Sequence, residues 1–320
     1  MRLADMPLHD PFVVADRESG TYYLYTSNNP RLTGVRGVGT MAYTSKDLKT
    51  WDPPKVVFTL PEAGVWANAG GWAPEVHKWR GRYWLFVTLH NDAMKLPKTS
   101  SIDVYRRGTV LAVADTPAGP FTLVREGEPI IGAEHMTLDG TLYVDEAGRP
   151  WTVYAHEWLQ TVDGTLEAAP LDDDLKAIGA PTVLFHASEA PWVGQPQNAP
   201  PLAPGVRAYV TDGPQLYRMK SGALVTLWSS HDDKGYVESQ AVSRSGKITG
   251  PWEQLPPLLH QDSGHGMIFD AFDGTKLLIV HRPFRNARGK IYEVRDAGDR
   301  FEIVRQRVDL DGDVGLGVGP

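Results

Sequence analysis

His9-Asp10-Pro11-Phe12-Val13-Val14 leads through a turn at Ser19-Gly20 into Thr21-Tyr22-Tyr23-Leu24-Tyr25-Thr26-Ser27. Both runs are rich in β-branched and aromatic residues, the signature of two strands joined by a tight turn. Pro11 disfavours helical backbone at Asp10, so this carboxylate sits in extended chain at a strand entrance. The same succession of entrance residue, strand, glycine turn and second strand recurs four times.

The recurrences are Ala73-Pro74-Glu75-Val76 before Arg82–Val87, Leu138-Asp139-Gly140 before Pro150–Ala155, Thr211-Asp212-Gly213-Pro214 before Ala223–Ser230, and Gly264-His265-Gly266 before Lys276–His281. Entrance residues thus fall at positions 10, 73, 139, 212 and 265. Each interval has room for four strands and their loops, somewhat more than the ~40–50 residues of familiar propeller blades. Strands at this spacing, without a convincing amphipathic helix, predict an all-β fold. The expected architecture is a five-bladed β-propeller, one domain over residues 1–320. A pair of β-sandwiches would leave the five-fold recurrence unexplained.

Composition agrees with a soluble globular chain, with 42% hydrophobic and 22% charged residues. The 32 glycines and 25 prolines are spread as punctuation between strands. A net charge of −7 without a long basic run argues against nucleic acid or an anionic membrane as main partner. The locally basic Arg282, Arg285, Arg288 and Lys290 read as a solvated loop. The absence of cysteine removes disulfides and thiol chemistry. The first ten residues carry Arg2, Asp5 and Asp10 and no apolar leader. A cytoplasmic monomer is expected, or a secreted or periplasmic one if a leader precedes this stretch. The proline-rich segment holding Pro191, Pro196, Pro200, Pro201 and Pro204 reads as a plain inter-blade connector ahead of the alternative, in which its Trp192 and Gln195 reach an active-site rim.

In a propeller the first strand of every blade lines the axis. The entrance residues Asp10, Ala73, Asp139, Asp212 and His265 therefore converge on one mouth. Taken singly, an aspartate before Gly or Pro is more often a turn residue bonding nearby amides. Three carboxylates and a histidine at repeat-equivalent positions instead make a candidate reaction centre.

On His9-Asp10-Pro11, Tyr43-Thr44-Ser45-Lys46-Asp47-Leu48-Lys49-Thr50-Trp51, Trp72-Ala73-Pro74-Glu75-Val76, Leu138-Asp139-Gly140, Asp212-Gly213-Pro214 and Gly264-His265-Gly266, the chain resembles glycoside hydrolase family 43. These are five-bladed propeller enzymes of the arabinofuranosidase and xylosidase group. The resemblance covers nearly the whole chain and rests on the ordered set rather than on any one triplet. It implies Asp10 as general base, Asp139 as the carboxylate that tunes and orients the acid, and Asp212 as general acid. It also implies His265 as the family histidine near a metal or water on the axis. No cofactor is expected for the chemistry; a structural calcium ion near His265 is the one expected metal. The family usually carries glutamate in the Asp212 motif. Asp212 is one methylene shorter, so Glu157, in His156-Glu157-Trp158, is the alternative acid.

An inverting glycosidase sets its two carboxyls roughly 6.5–9.5 Å apart, so that water fits between the base and the sugar. Sugar binding adds flat apolar faces and fixed polar groups. Trp72 is the first candidate for such a face, followed by Trp66, Trp158 and Trp228. His156, Glu157, Gln240 and Arg282 are the polar candidates, while His77, His186 and His260 read as packing. The expected activity is exo-hydrolysis of a terminal furanose from an oligosaccharide or polysaccharide-derived substrate, with α-L-arabinofuranose ahead of β-D-galactofuranose and β-xylose. A catalytically silent carbohydrate-binding propeller is the rival.

Overall fold

The computed structural model describes residues 1–98, 101–196 and 206–312. Its twenty strands form five four-stranded antiparallel sheets, each built from consecutive strands. Blade I holds β1 (Phe12–Asp16), β2 (Thr21–Ser27), β3 (Gly39–Ser45) and β4 (Lys55–Thr59). Blade II holds β5 (Ala69–Trp79), β6 (Arg82–Lys95), β7 (Tyr105–Ala114) and β8 (Thr122–Leu123). Blade III holds β9 (Thr137–Val144), β10 (Pro150–His156), β11 (Thr165–Pro170) and β12 (Thr182–His186). Blade IV holds β13 (Asp212–Arg218), β14 (Leu224–His231), β15 (Tyr236–Ser243) and β16 (Glu253–Gln254). Blade V holds β17 (Gly264–Asp270), β18 (Lys276–Arg282), β19 (Arg288–Asp296) and β20 (Phe301–Gln306). The five-bladed propeller expected from the repeats is the fold.

The first hairpin of every blade turns at a glycine with positive φ: Gly20, Gly81, Gly148, Gly222 and Gly274. This conformation costs an L side chain energy and costs glycine almost none, which is why the turns were legible. Neighbouring innermost strands touch around a closed ring, with β1 against both β5 and β17.

Apolar faces fill the wedges between blades. Leu24, Tyr25, Tyr43, Leu85, Val87, Leu277 and Ile279 belong to one buried cluster spanning blades V, I and II. Between blades III and IV, Phe185 packs on Trp228 with ring centroids 5.3 Å apart. Burying each such side chain contributes roughly 1.5–3 kcal/mol.

The ring is tied shut by the N-terminal segment. The Met1 amine donates to the Trp51 carbonyl at 2.6 Å, Leu8 N to the Ala287 carbonyl at 3.1 Å, and Arg288 Nε to the Ala4 carbonyl at 3.1 Å. Arg288 and Lys290 lie in β19, and Lys290 is buried, so this part of the basic stretch is a strand and not a solvated loop. In the connector, Trp192 donates to the Leu255 carbonyl and Gln195 bonds both ways with Ala208. Pro200, Pro201 and Pro204 lie outside the described residues.

Candidate active site

Four innermost strands are interrupted by a bulge at their entrance. Two residues fall out of register with the second strand between Trp72 and Glu75, Leu138 and Thr141, Asp212 and Gln215, and Gly264 and Met267. The first residue of each bulge is left-handed, with φ of 41° at Ala73, 54° at Asp139, 53° at Gly213 and 51° at His265. Asp10, just ahead of β1, has φ 47°. Such bulges re-aim side chains, and strained non-glycine backbone of this kind gathers at functional sites.

The bulges correct one point of the sequence alignment. The structural equivalents are Asp10, Ala73, Asp139, Gly213 and His265. Asp212 stands one residue earlier, level with His9, Trp72, Leu138 and Gly264. Glycine takes the left-handed position in blade IV, and the carboxyl approaches from the position before it.

Asp10 is surrounded by imidazoles. Its Oδ1 lies 3.0 Å from His9 Nδ1, 3.2 Å from His265 Nδ1 and 3.3 Å from His281 Nδ1. His9 Nε2 meets the Phe284 carbonyl at 2.8 Å. With an acceptor at each nitrogen, His9 carries both protons. Burial opposes that charge, but Asp10 overrides it and pushes His9 up to about 9. His281 is fully buried, its Nδ1 accepts the Asp10 amide at 3.3 Å, and burial pulls it down to about 4. Burial alone would raise Asp10; the His265 and His9 imidazoles outweigh it and hold the carboxyl well below the usual range. Asp10 is therefore ionised at neutral pH.

Asp139 and Asp212 have the opposite electrostatics. Burial, then the Asp10 charge, pushes Asp139 well above the usual carboxylate range against the amide of Gly213, which donates to Asp139 Oδ2 at 3.2 Å. Burial, then Asp139, pushes Asp212 up to about 8, while Tyr236 Oη donates to Asp212 Oδ2 at 2.9 Å. Asp139 thus raises Asp212, and a further negative charge among these buried carboxyls is disfavoured.

Glu157 follows β10 and is buried in an ion pair with Arg107 of β7. The Arg107 guanidinium lies 4.8 Å over the Trp72 ring and 5.0 Å over Tyr105, and donates to the Tyr105 hydroxyl. Trp72 is 37% exposed and lies 4.6 Å from His90. These residues make a wall on the blade II side, where β6 runs on to Lys95.

The other expected sugar contacts differ in their surroundings. Gln240 is buried and clasps the Phe301 backbone, accepting its amide at 2.7 Å and donating to its carbonyl at 3.0 Å, so it is blade IV–V packing. Trp228 is fully buried, and the Trp66 indole donates to the Gly127 carbonyl. Arg282 bonds Gln261 and the Tyr292 hydroxyl, both at 2.9 Å. His156 is held between Glu167 at 2.9 Å and Gln160 at 2.8 Å. Trp158 opens a four-residue helix (Trp158–Thr161) next to Glu157 and is partly exposed. His77 lies on the axis, 2.9 Å from Glu75, which also accepts from Gln215 at 2.5 Å.

His9, His281, Arg107, Tyr236 and Phe284 were not assigned from sequence. His9 was visible in the His-Asp-Pro triplet. His281 stands opposite Gly264 across β17 and β18, a register that only the bulge reveals.

His9, Asp10 and His281 bring one donor atom each within 4.8 Å of one another. Those atoms are already spent on each other and on the Asp10 amide. At His265, Nδ1 is turned toward Asp10 and lies 3.9 Å from Asp139, leaving Nε2 as the remaining donor. One imidazole nitrogen is too few ligands to hold a transition metal tightly.

Asp10, Asp139, Asp212 and His265, gathered at the entrances of the innermost strands of a five-bladed propeller, make the carboxylate set of an inverting glycoside hydrolase. The model of glycosyl hydrolases family 43 matches residues 5–300, and the chain belongs to that family. The chain is 37% identical to the solved structure of an endo-arabinase from Bacteroides thetaiotaomicron VPI-5482, at a TM-score of 0.81, covering 94% of this chain and 99% of that one. An endo-1,4-beta-xylanase from the same organism shares the fold at 23% identity and a TM-score of 0.72, covering 94% and 95%. So does an alpha-L-arabinofuranosidase from Lactobacillus brevis, at 15% identity and 0.70, covering 92% and 93%. No curated protein matches the chain. The substrate of this enzyme is a carbohydrate.

Proposed function

We propose that the enzyme removes terminal α-L-arabinofuranosyl residues, with Asp10 as general base, Asp212 as general acid and Asp139 as the carboxyl that tunes the acid. The carrying observation is the divergence of the carboxyls: imidazoles hold Asp10 ionised, while burial and Asp139 push Asp212 up to about 8. Two carboxyls driven apart in this way are a base and an acid. Asp10 draws a proton from water as it attacks the anomeric carbon, the glycosidic C–O bond breaks, and Asp212 gives its proton to the departing oxygen. The product carries the inverted configuration. Glu157, committed to Arg107, anchors the blade II wall in this reading and gives no proton.

The 37% identity to an endo-arabinase structure supports an arabinose substrate and favours a second reading, internal cleavage of arabinan. Trp72, Arg107 and Tyr105 stack on one another beside the blade II entrance, and in this reading they bound the terminal sugar. Incubation with linear α-1,5-arabinan and an aryl α-L-arabinofuranoside separates the two. Free arabinose as the only early product supports terminal cleavage, and a ladder of oligosaccharides supports internal cleavage. No turnover of any arabinofuranoside overturns both. The reading includes a hydrated calcium ion at His265 and a monomer in solution, the latter tested by sedimentation.

A further inference from the structure

Successive bulge amides of blades III and V are caught by side chains of the blade before. In blade III, Asp139 N donates to Thr88 Oγ1 at 2.9 Å and Gly140 N to Thr109 Oγ1 at 2.8 Å. In blade V, His265 N donates to Ser229 Oγ at 2.7 Å and Gly266 N to Glu238 Oε2 at 2.8 Å. Thr88 and Thr109 stand directly opposite each other on β6 and β7. Ser229 and Glu238 do the same on β14 and β15. The two pairs occupy the same register, because Thr88 is opposite Trp72 and Ser229 opposite Asp212, the residues just before each bulge.

Close approach is part of the device. A Cβ at Gly140 would meet Thr109 Oγ1 at 2.8 Å, and one at Gly266 would meet the Glu238 carboxyl carbon at 3.1 Å. Between blades III and IV the register position holds Ala155, opposite Leu138, which has no polar group. There the Gly213 amide is taken by Asp139 itself.

Glu238 is the odd member. It is fully buried and used by no step of the reaction. Ser229 Oγ donates to its Oε2 at 2.8 Å, so one oxygen holds both the serine and the Gly266 amide. Its Oε1 has no partner among the described residues. A buried, half-satisfied carboxyl is costly where a threonine does the same task in blade II, so its retention needs a reason.

We infer that Glu238 is a positioning residue: with Ser229 it clamps the left-handed bulge that aims His265 at Asp10, as Thr88 and Thr109 clamp the bulge that carries Asp139. The inference rests on Asp10, Asp139 and His265 forming the reaction centre. Displacement of a reacting group by about 1 Å costs on the order of 100-fold in rate, so loss of the clamp appears in kcat rather than in KM.

The test is the isosteric pair E238T and E238V, which differ in the acceptor oxygen, with T109V as the parallel change in blade II. Kinetics on an aryl arabinofuranoside and melting temperatures are measured for all three. E238T, which recreates the blade II clamp, is expected to keep kcat within about threefold of the parent. E238V and T109V are expected to lose about 10- to 100-fold in kcat at unchanged KM. Equal kcat for E238T and E238V, whether both high or both low, overturns the clamp. D10N is run alongside. If D10N keeps full activity, the reaction centre itself is misassigned; if D10N is dead and the Thr/Val pair is equal, only the clamp fails.

Discussion

The amide of Gly213 donates to Asp139 Oδ2 at 3.2 Å, so the backbone next to Asp212 is bonded to the carboxyl that tunes it. Gly213 also has φ +53°, and a Cβ there would meet His265 Cδ2 at 2.9 Å and Nε2 at 3.1 Å. Gly213→Ala is expected to lose about 1–2 kcal/mol from left-handed backbone alone. It should also lower kcat at least about tenfold by pushing on His265. Melting temperature and kcat measure the two effects, and an unchanged kcat would remove Gly213 from the account.

In the proposed mechanism, activity requires Asp10 ionised and the Asp212 proton in place. Asp10 lies well below the usual range and Asp212 near 8, so kcat/KM should be flat through mildly acid pH and fall as pH rises through about 8. Asp139→Asn removes the carboxyl that raises Asp212 and should move that alkaline limb to lower pH. Stability follows the same group. A carboxyl whose folded pKa is raised stabilises fully below its unfolded value near 4, and that contribution is lost as pH rises through about 8. Denaturant midpoints should therefore decline from pH 4 to 8, and less steeply in Asp212→Asn.

Arg107→Met strands Glu157 in a buried position without its partner. Breaking one side of a buried pair costs about 3–5 kcal/mol. The double variant with Glu157→Gln should recover much of that loss. Urea unfolding of the two singles and the double gives the coupling, and additive losses would show that the pair is not a unit.

The fold was legible because each blade repeats its turn chemistry. Ser19-Gly20, Glu146-Ala147-Gly148, Lys220-Ser221-Gly222 and Asp273-Gly274 each place glycine where the hairpin needs positive φ. Asp10, Asp139 and His265 were legible for a related reason, since each stands before Pro or Gly at a strand entrance. The exact place of Asp212 was not, because Asp212-Gly213 reads as Asp139-Gly140 does while the bulge begins one residue later. Gln240 was a candidate polar group for sugar, yet it is spent on the Phe301 backbone of the next blade. His281 and Arg107 come from second and third strands, which carry no entrance motif to mark them.

A hydrated cation at His265 would be weakly held, with water as most of its shell. Chelator treatment should then lower the rate modestly and reversibly, calcium should restore it, and His265→Ala should abolish the calcium response. If chelator and His265→Ala both leave rate and stability unchanged, the histidine serves packing alone.

The division of labour between Asp10 and Asp212 is tested most directly by leaving-group dependence. Initial rates of Asp212→Asn and Glu157→Gln are measured on aryl α-L-arabinofuranosides of graded phenol pKa. A missing acid hurts poor leaving groups far more than good ones. Asp212→Asn should show a steep dependence on phenol pKa, near the parent rate for the most activated phenol, and Glu157→Gln should keep the parent's shallow slope. A shallow slope for Asp212→Asn with a steep one for Glu157→Gln would contradict the account and move the acid to Glu157.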